Sequence, residues 1–230
     1  MKKFLNTSTL LWLLGLIFVA FGVAICSKTN LGVSMIAAPT FVVSEALSRI
    51  WGGFDVGTTE YLLQGLIMII LSVSIGRFKP KFLFSFGTAI IYGYILNFFI
   101  WVLGTVAFGS VWLRFLMLII GDILVGFGVA CFFRTKMPMQ VHELFVYELA
   151  LRYKLNINKT KWIFDLCLLM ISVVLAAAIF GDLLEFNWRE ILTTSYHNLG
   201  IGTIITTLIN SPLIVVSGKI INKVLKTDKQ

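Results

Sequence analysis

Asp122 sits near the middle of the apolar run LIIGDILVGFG, and it is the first residue to ask about chemistry. Ionisable groups at bilayer depth are costly and usually face a cavity, a partner or a coupled ion. Its carboxylate would carry a proton or pair with a cationic group; the plainer reading is a structural hydrogen bond or ion pair within a bundle. Gln64 and Asp165 stand a few residues into two other apolar runs, in GTTEYLLQ and KTKWIFD. They could flank a shared cavity, or lie at an interface with no solute to bind. Asn97 and Asn210 are amides inside further apolar runs, the second followed by Ser211 and Pro212. Proline removes a backbone donor and frees a carbonyl, so 210–212 reads as an interruption of its helix. Such an interruption is a recurrent solute or ion site; a simple kink is the alternative.

Glu45, His142 and Glu143 belong to two shorter segments of mixed polarity, 33–50 and 139–153. The whole set suits binding of a small solute or a proton better than covalent catalysis. His142 in VHELF lacks the second histidine of a zinc-protease helix. Neither a Gly-x-Ser-x-Gly elbow nor a phosphate-binding Gly-Lys-Ser loop occurs. An enzyme is not expected, nor a catalytic residue, a metal site or a cofactor.

The elements that must position these residues are membrane helices. Hydrophobic residues make up 58% of the chain and the mean hydropathy is +0.94, against roughly 45–50% apolar usage in soluble domains. A span needs roughly 20 apolar residues, and six segments supply that: about 8–27, 57–76, 82–104, 112–133, 162–181 and 199–221. Bases mark the cytoplasmic ends of such helices. Lys2 and Lys3, then Arg77, Lys79 and Lys81, then Arg134 to Lys161, then Lys219 to Lys229 all fall on one side if both termini are cytoplasmic. The opposite loops are poor in bases: 105–111 is uncharged, and 182–197 holds Asp182, Glu185 and Glu190 against Arg189. The net charge of +8 is therefore a topological signal, with no nucleic-acid partner implied. Trp51, Trp101, Trp112, Trp162 and Trp188 fall near span ends, as interfacial indoles do, and Trp12 lies deeper. The first span is too long for a cleaved signal peptide, and Cys26, Cys131 and Cys167 read as small packing residues with no disulfide framework.

The chain repeats itself. FGVAICSKT at Phe21 returns as FGVACFFRT at Phe127, 106 positions on. GTTEYLLQGLIMIIL at Gly57 aligns with NKTKWIFDLCLLMIS at Asn158, which matches Gln64 to Asp165 and Glu60 to Lys161. FGTAII at Phe86 aligns with IGTIIT at Ile201. The expected fold is all-α: a polytopic bundle of six transmembrane helices in two three-helix repeats, about 8–104 and 112–221. Three spans are an odd number, so the second repeat must be inverted, a plan common among secondary transporters. Residues 33–50 and 139–153 occupy matching places as a pair of short helices. These are either re-entrant or lie amphipathically on each surface. Glu60 and Lys161 read as solvated ends, Gly22 and Gly128 as a tight crossing of spans one and four. Gly87-Thr88 and Gly202-Thr203 read as close helix packing.

The order NLGVSM, GTTEYLLQ, KTKWIFD and LGIGTIITTLINSPL resembles the bacterial YczE/YyaS/YitT family of integral membrane proteins. The sequence departs from that pattern at Val33-Ser34-Met35, which lacks a proline, and at Asn210-Ser211, where a glycine is often seen. Without a C-terminal soluble domain, it is most similar to the shorter YczE-like branch. The resemblance implies a multi-pass protein of the bacterial cytoplasmic (inner) membrane and no settled activity. Two functions follow: a small-solute transporter or permeation protein with a midplane site between the repeats, or a non-transporting partner that binds another protein. The second would use the helix surfaces or the basic 134–161 loop, as a homo-oligomer or with another membrane protein.

Overall fold

The computed structural model of the 230-residue chain describes residues 2–181 and 193–227. Trp188 and the charges of the 182–190 stretch lie outside the described residues. The described chain forms α1 (Lys2–Lys28), α2 (Ala38–Ile50), α3 (Val56–Ser74), α4 (Lys81–Leu103), α5 (Val111–Phe132), α6 (Val141–Tyr153), α7 (Ile157–Phe180) and α8 (Ile201–Thr227). Six of these are long and apolar enough to cross a bilayer, and α2 and α6 are the short pair. A helix satisfies its own backbone groups, which is why uniformly apolar segments take this form in lipid. Local chemistry sets the ends. Asp55 caps α3 by accepting from the Thr58 amide at 2.7 Å, and Asn156 caps α7 by accepting from Asn158 and Lys159. Gly104 and Gly181 stop α4 and α7 at positive φ.

The crossing of α1 and α5 lies at the centre, and it fixes the relation of the two halves. A Cβ on Gly22 would lie 2.5 Å from the Gly121 carbonyl oxygen, and one on Gly128 would lie 2.9 Å from that of Gly15. Gly22 and Gly128 are partners in the repeated phrase, and Gly15 and Gly121, just before it, share its spacing of 106, so one contact is written twice. Moving up α1 from Gly15 to Gly22 means moving down α5 from Gly128 to Gly121. The helices are antiparallel, and the halves they begin are inverted. The other contacts agree: α1 packs on α4 as α5 does on α8, α2 on α3 as α6 does on α7, and α2 on α7 as α6 does on α3.

Loop contacts sort into two ends. At one, Ser8 bonds Thr135 at 2.9 Å, Arg134 bonds Asn222 at 2.9 Å, and Tyr153 donates to the Ser74 carbonyl at 3.2 Å. At the other, Lys28 reaches the Gly104 carbonyl, Ser195 reaches Asn30, and His197 reaches Glu45. The first end holds Arg77, Lys79, Lys81, Arg134, Arg152 and Lys154 and is the basic one.

The short helices begin inside the bundle. Ala38 to Val42 of α2 and Val141 to Leu144 of α6 are buried, while Arg49, Ile50, Leu151 and Arg152 at their far ends are exposed. The amino ends of both helices are thus their deeper ends within the bundle, and Val146, Glu148 and Ala150 keep one side of α6 buried further along. Three details depart from the sequence expectations. Helix α8 runs unbroken through Pro212, whose missing N–H leaves a helix that does not part. Gly202 does pack closely, its amide donating to the Leu31 carbonyl at 2.8 Å, but Gly87 has open space where a side chain would be. Cys167 is exposed on α7, unlike buried Cys26 and Cys131. Trp12 lies inside its span as expected, its indole donating to the Pro138 carbonyl at 2.8 Å, an oxygen that also accepts from Thr88 at 3.0 Å.

Candidate functional site between the short helices

The amino ends of α2 and α6 meet in the interior. Between them is a cavity of about 10 Å³, lined by Ser34, Glu60, Tyr92, Gln140 and Glu143 among valines of α1 and α5. That is close to the smallest volume able to hold one water. Ser34 Oγ, Gln140 Nε2 and Glu143 Oε2 are buried there without a hydrogen-bond partner. Buried polar atoms are nearly always paired, so three orphans lining one cavity mark a place built for something polar.

The walls are a charged network at the start of α3 and α7. The Glu60 carboxylate accepts from Thr40 of α2, from Gln64 Nε2 at 2.9 Å, and faces His142 Nε2 at 3.2 Å. Gln64 in turn accepts from the Val141 amide at 3.0 Å, which satisfies one of the free N–H groups at the start of α6. In the other half Lys161 is ion-paired with Asp165 four residues on, both fully buried. Glu60 with Gln64 and Lys161 with Asp165 are the same intrahelical pair in the two repeats. Glu143 lies in the first turn of α6, where the helix dipole favours a carboxylate.

These placements correct one expectation outright. Glu60 and Lys161 are not solvated ends; they are 3% and 2% exposed, because α2 and α6 pack over the starts of α3 and α7. Gln64, Asp165, His142 and Glu143 are brought together around the cavity and its walls. The remaining candidates are elsewhere. Asp122 is buried with both oxygens unpartnered, in a crevice between α5 and α8 that Thr206 and several isoleucines line. Asn97 accepts from the Gly57 amide at 2.8 Å and so ties the start of α3 to α4. Asn210 is fully buried in α8 with neither amide atom paired. Glu45 is part exposed and bonds Arg49 at 2.9 Å and His197 at 2.7 Å at the less basic end.

Ser34, Tyr92 and Gln140 carry the cavity yet did not stand out in the sequence. One signal was present: Ser34 and Gln140 are separated by 106 positions, the spacing of the repeated phrase. A second was the polar pair at i and i+4 repeated in matching helices, which solvated ends have no reason to keep.

A closed charged site between two inverted sets of membrane helices defines the class: a polytopic helical membrane protein with a polar centre. Within that class the chain belongs to the DUF6198 family, a family of unknown function whose pattern it matches over residues 6–219. No curated protein and no solved structure matches it.

Proposed function

We propose that the protein carries a small polar or cationic solute, or a proton, across a bacterial cytoplasmic membrane through the cavity between α2 and α6. The observation that supports this most is the clustering of three unpartnered polar atoms, one of them on the Glu143 carboxylate, beside Glu60 at the meeting point of inverted halves. Unpaired buried polar atoms around one cavity suit a site that takes a polar occupant in turn from each side. Glu143 is the residue assigned to the solute, since its free oxygen faces the cavity, and Glu60 with Tyr92 forms the opposite wall. Lys161, paired with Asp165, and His142, 3.2 Å from Glu60, tie the walls of the site together. The basic end of the bundle is the cytoplasmic one, with both termini there. The order of short motifs along the chain supports kinship with the YczE-like branch.

Access to the cavity tests this reading. Ser34→Cys is placed in a chain whose Cys26, Cys131 and Cys167 are replaced, and the protein is inserted in vesicles of known orientation. A membrane-impermeant thiol reagent added to either side is expected to label Ser34→Cys, in different molecules at different moments. Labelling from one side only, or from neither, removes transport through this cavity.

A further inference from the structure

Two grooves meet at Arg77. After α3 ends at Ser74 the chain turns through Gly76, at φ 68°, and α4 begins at Lys81. On the outward side of the last turns of α3 lies an apolar groove of about 390 Å³, lined by Met68, Ile69, Val73 and Phe78 and closed at its end by Arg77. Ile69, Val73 and Phe78 are each more than half exposed, on a surface that hydrocarbon must cover. Beyond Arg77 lies a cleft of about 300 Å³, lined by Arg77, Lys79, Lys81 and Arg152 with a single acid, Glu148. That acid is already engaged by Lys79 and, at 2.6 Å, by Lys81. Arg77 and Arg152 are exposed and have no acidic partner among the described residues.

We propose that the two grooves form one binding site for an anionic phospholipid, with the phosphate between Arg77 and Arg152 and an acyl chain along α3. The charge is complementary, since four bases face one acid. Guanidinium groups match phosphate oxygens in two-point geometry. The cleft sits at a span end, where headgroups lie, and the apolar groove continues from it toward hydrocarbon depth. Basic pockets between membrane helices take anionic headgroups for the same reasons. This site is independent of the central cavity, and its fate does not bear on transport.

The test uses the full chain in an uncharged detergent, titrated with dioleoyl phosphatidylglycerol, dioleoyl phosphatidylcholine or inorganic phosphate, with bound lipid counted by native mass spectrometry. Phosphatidylglycerol is expected to bind roughly 25-fold more tightly than phosphatidylcholine, from about fivefold for each of the two engaged arginines. Inorganic phosphate at the same concentration is expected not to displace it. Arg77→Gln with Arg152→Gln is expected to abolish the preference, and Lys219→Gln with Lys223→Gln, at the same end on α8, to keep it. Equal binding of the two lipids overturns the site. Displacement by inorganic phosphate would mean an anion site without a lipid, and equal loss in the α8 pair would mean diffuse charge; either overturns it as well. The comparison of ligands on the unaltered chain decides the matter even if a variant fails to fold.

Discussion

At the scale of single residues, Glu60 joins three elements. One carboxylate is met by Thr40 of α2, Gln64 of its own helix and His142 of α6, so three elements depend on it. Glu60→Ala leaves all three without their acceptor. Each orphaned buried group costs on the order of 1 kcal/mol in a membrane protein, so a loss of about 2–4 kcal/mol is expected on thermal unfolding in detergent. Glu60→Gln keeps an acceptor oxygen and should lose less than half as much. An Ala variant as stable as the parent would mean that the network does not hold the short helices. Glu148 yields a pH prediction. Burial raises its carboxyl, but the hydrogen bonds and charges of Lys79 and Lys81 outweigh this and bring it below its ordinary value of 4.5. A lowered folded value means the tie contributes fully above the unfolded value and is lost as pH falls through the folded one. Melting temperature measured from pH 6 downward should therefore fall below about pH 4.5, and Glu148→Gln should flatten that part of the curve. An unchanged curve in the variant would remove Glu148 as the cause.

At the scale of elements, close helix approach is what the glycines of α1 and α5 provide. Gly22→Ala and Gly128→Ala each push a Cβ into a facing backbone, and overpacking of this kind costs roughly 1–3 kcal/mol. Because the two contacts are copies of one another, the two variants should lose similar amounts in a thermal unfolding series. Gly87→Ala meets open space and should be neutral or gain up to about 1 kcal/mol from helix propensity. A clear difference between the first two would mean that the crossing is not symmetric. The spans and this crossing were readable because length, apolarity and small residues act locally. The six spans expected from the sequence each overlap a helix of the structure, and Gly22 with Gly128 does mark the crossing. Burial of Glu60 and Lys161 was not readable in the same way. It depends on α2 and α6 folding back over the starts of α3 and α7, a tertiary event that a charge near a span end does not announce. Pro212 misled for the converse reason, since a proline reports a lost bond but not whether its helix parts.

At the scale of the whole molecule, inversion does the organising. It brings the amino ends of α2 and α6 to one cavity, places the Glu60–Gln64 and Lys161–Asp165 pairs at equivalent positions of α3 and α7, and leaves most of the bases at one end. Asp122, the most conspicuous residue of the sequence, sits outside that centre because its side of α5 faces α8. Depth along a span could be read from the sequence; the direction a side chain faces could not. The most direct test is sidedness. Gly53, exposed between α2 and α3, and Leu155, exposed between α6 and α7, are each replaced by cysteine in a chain lacking the native three. An impermeant thiol reagent is then applied to intact cells and to opened membranes. Gly53→Cys is expected to react in intact cells and Leu155→Cys only once membranes are opened. Reaction of both under the same condition would place the two turns on one side of the membrane and contradict the inverted arrangement from which the central site follows.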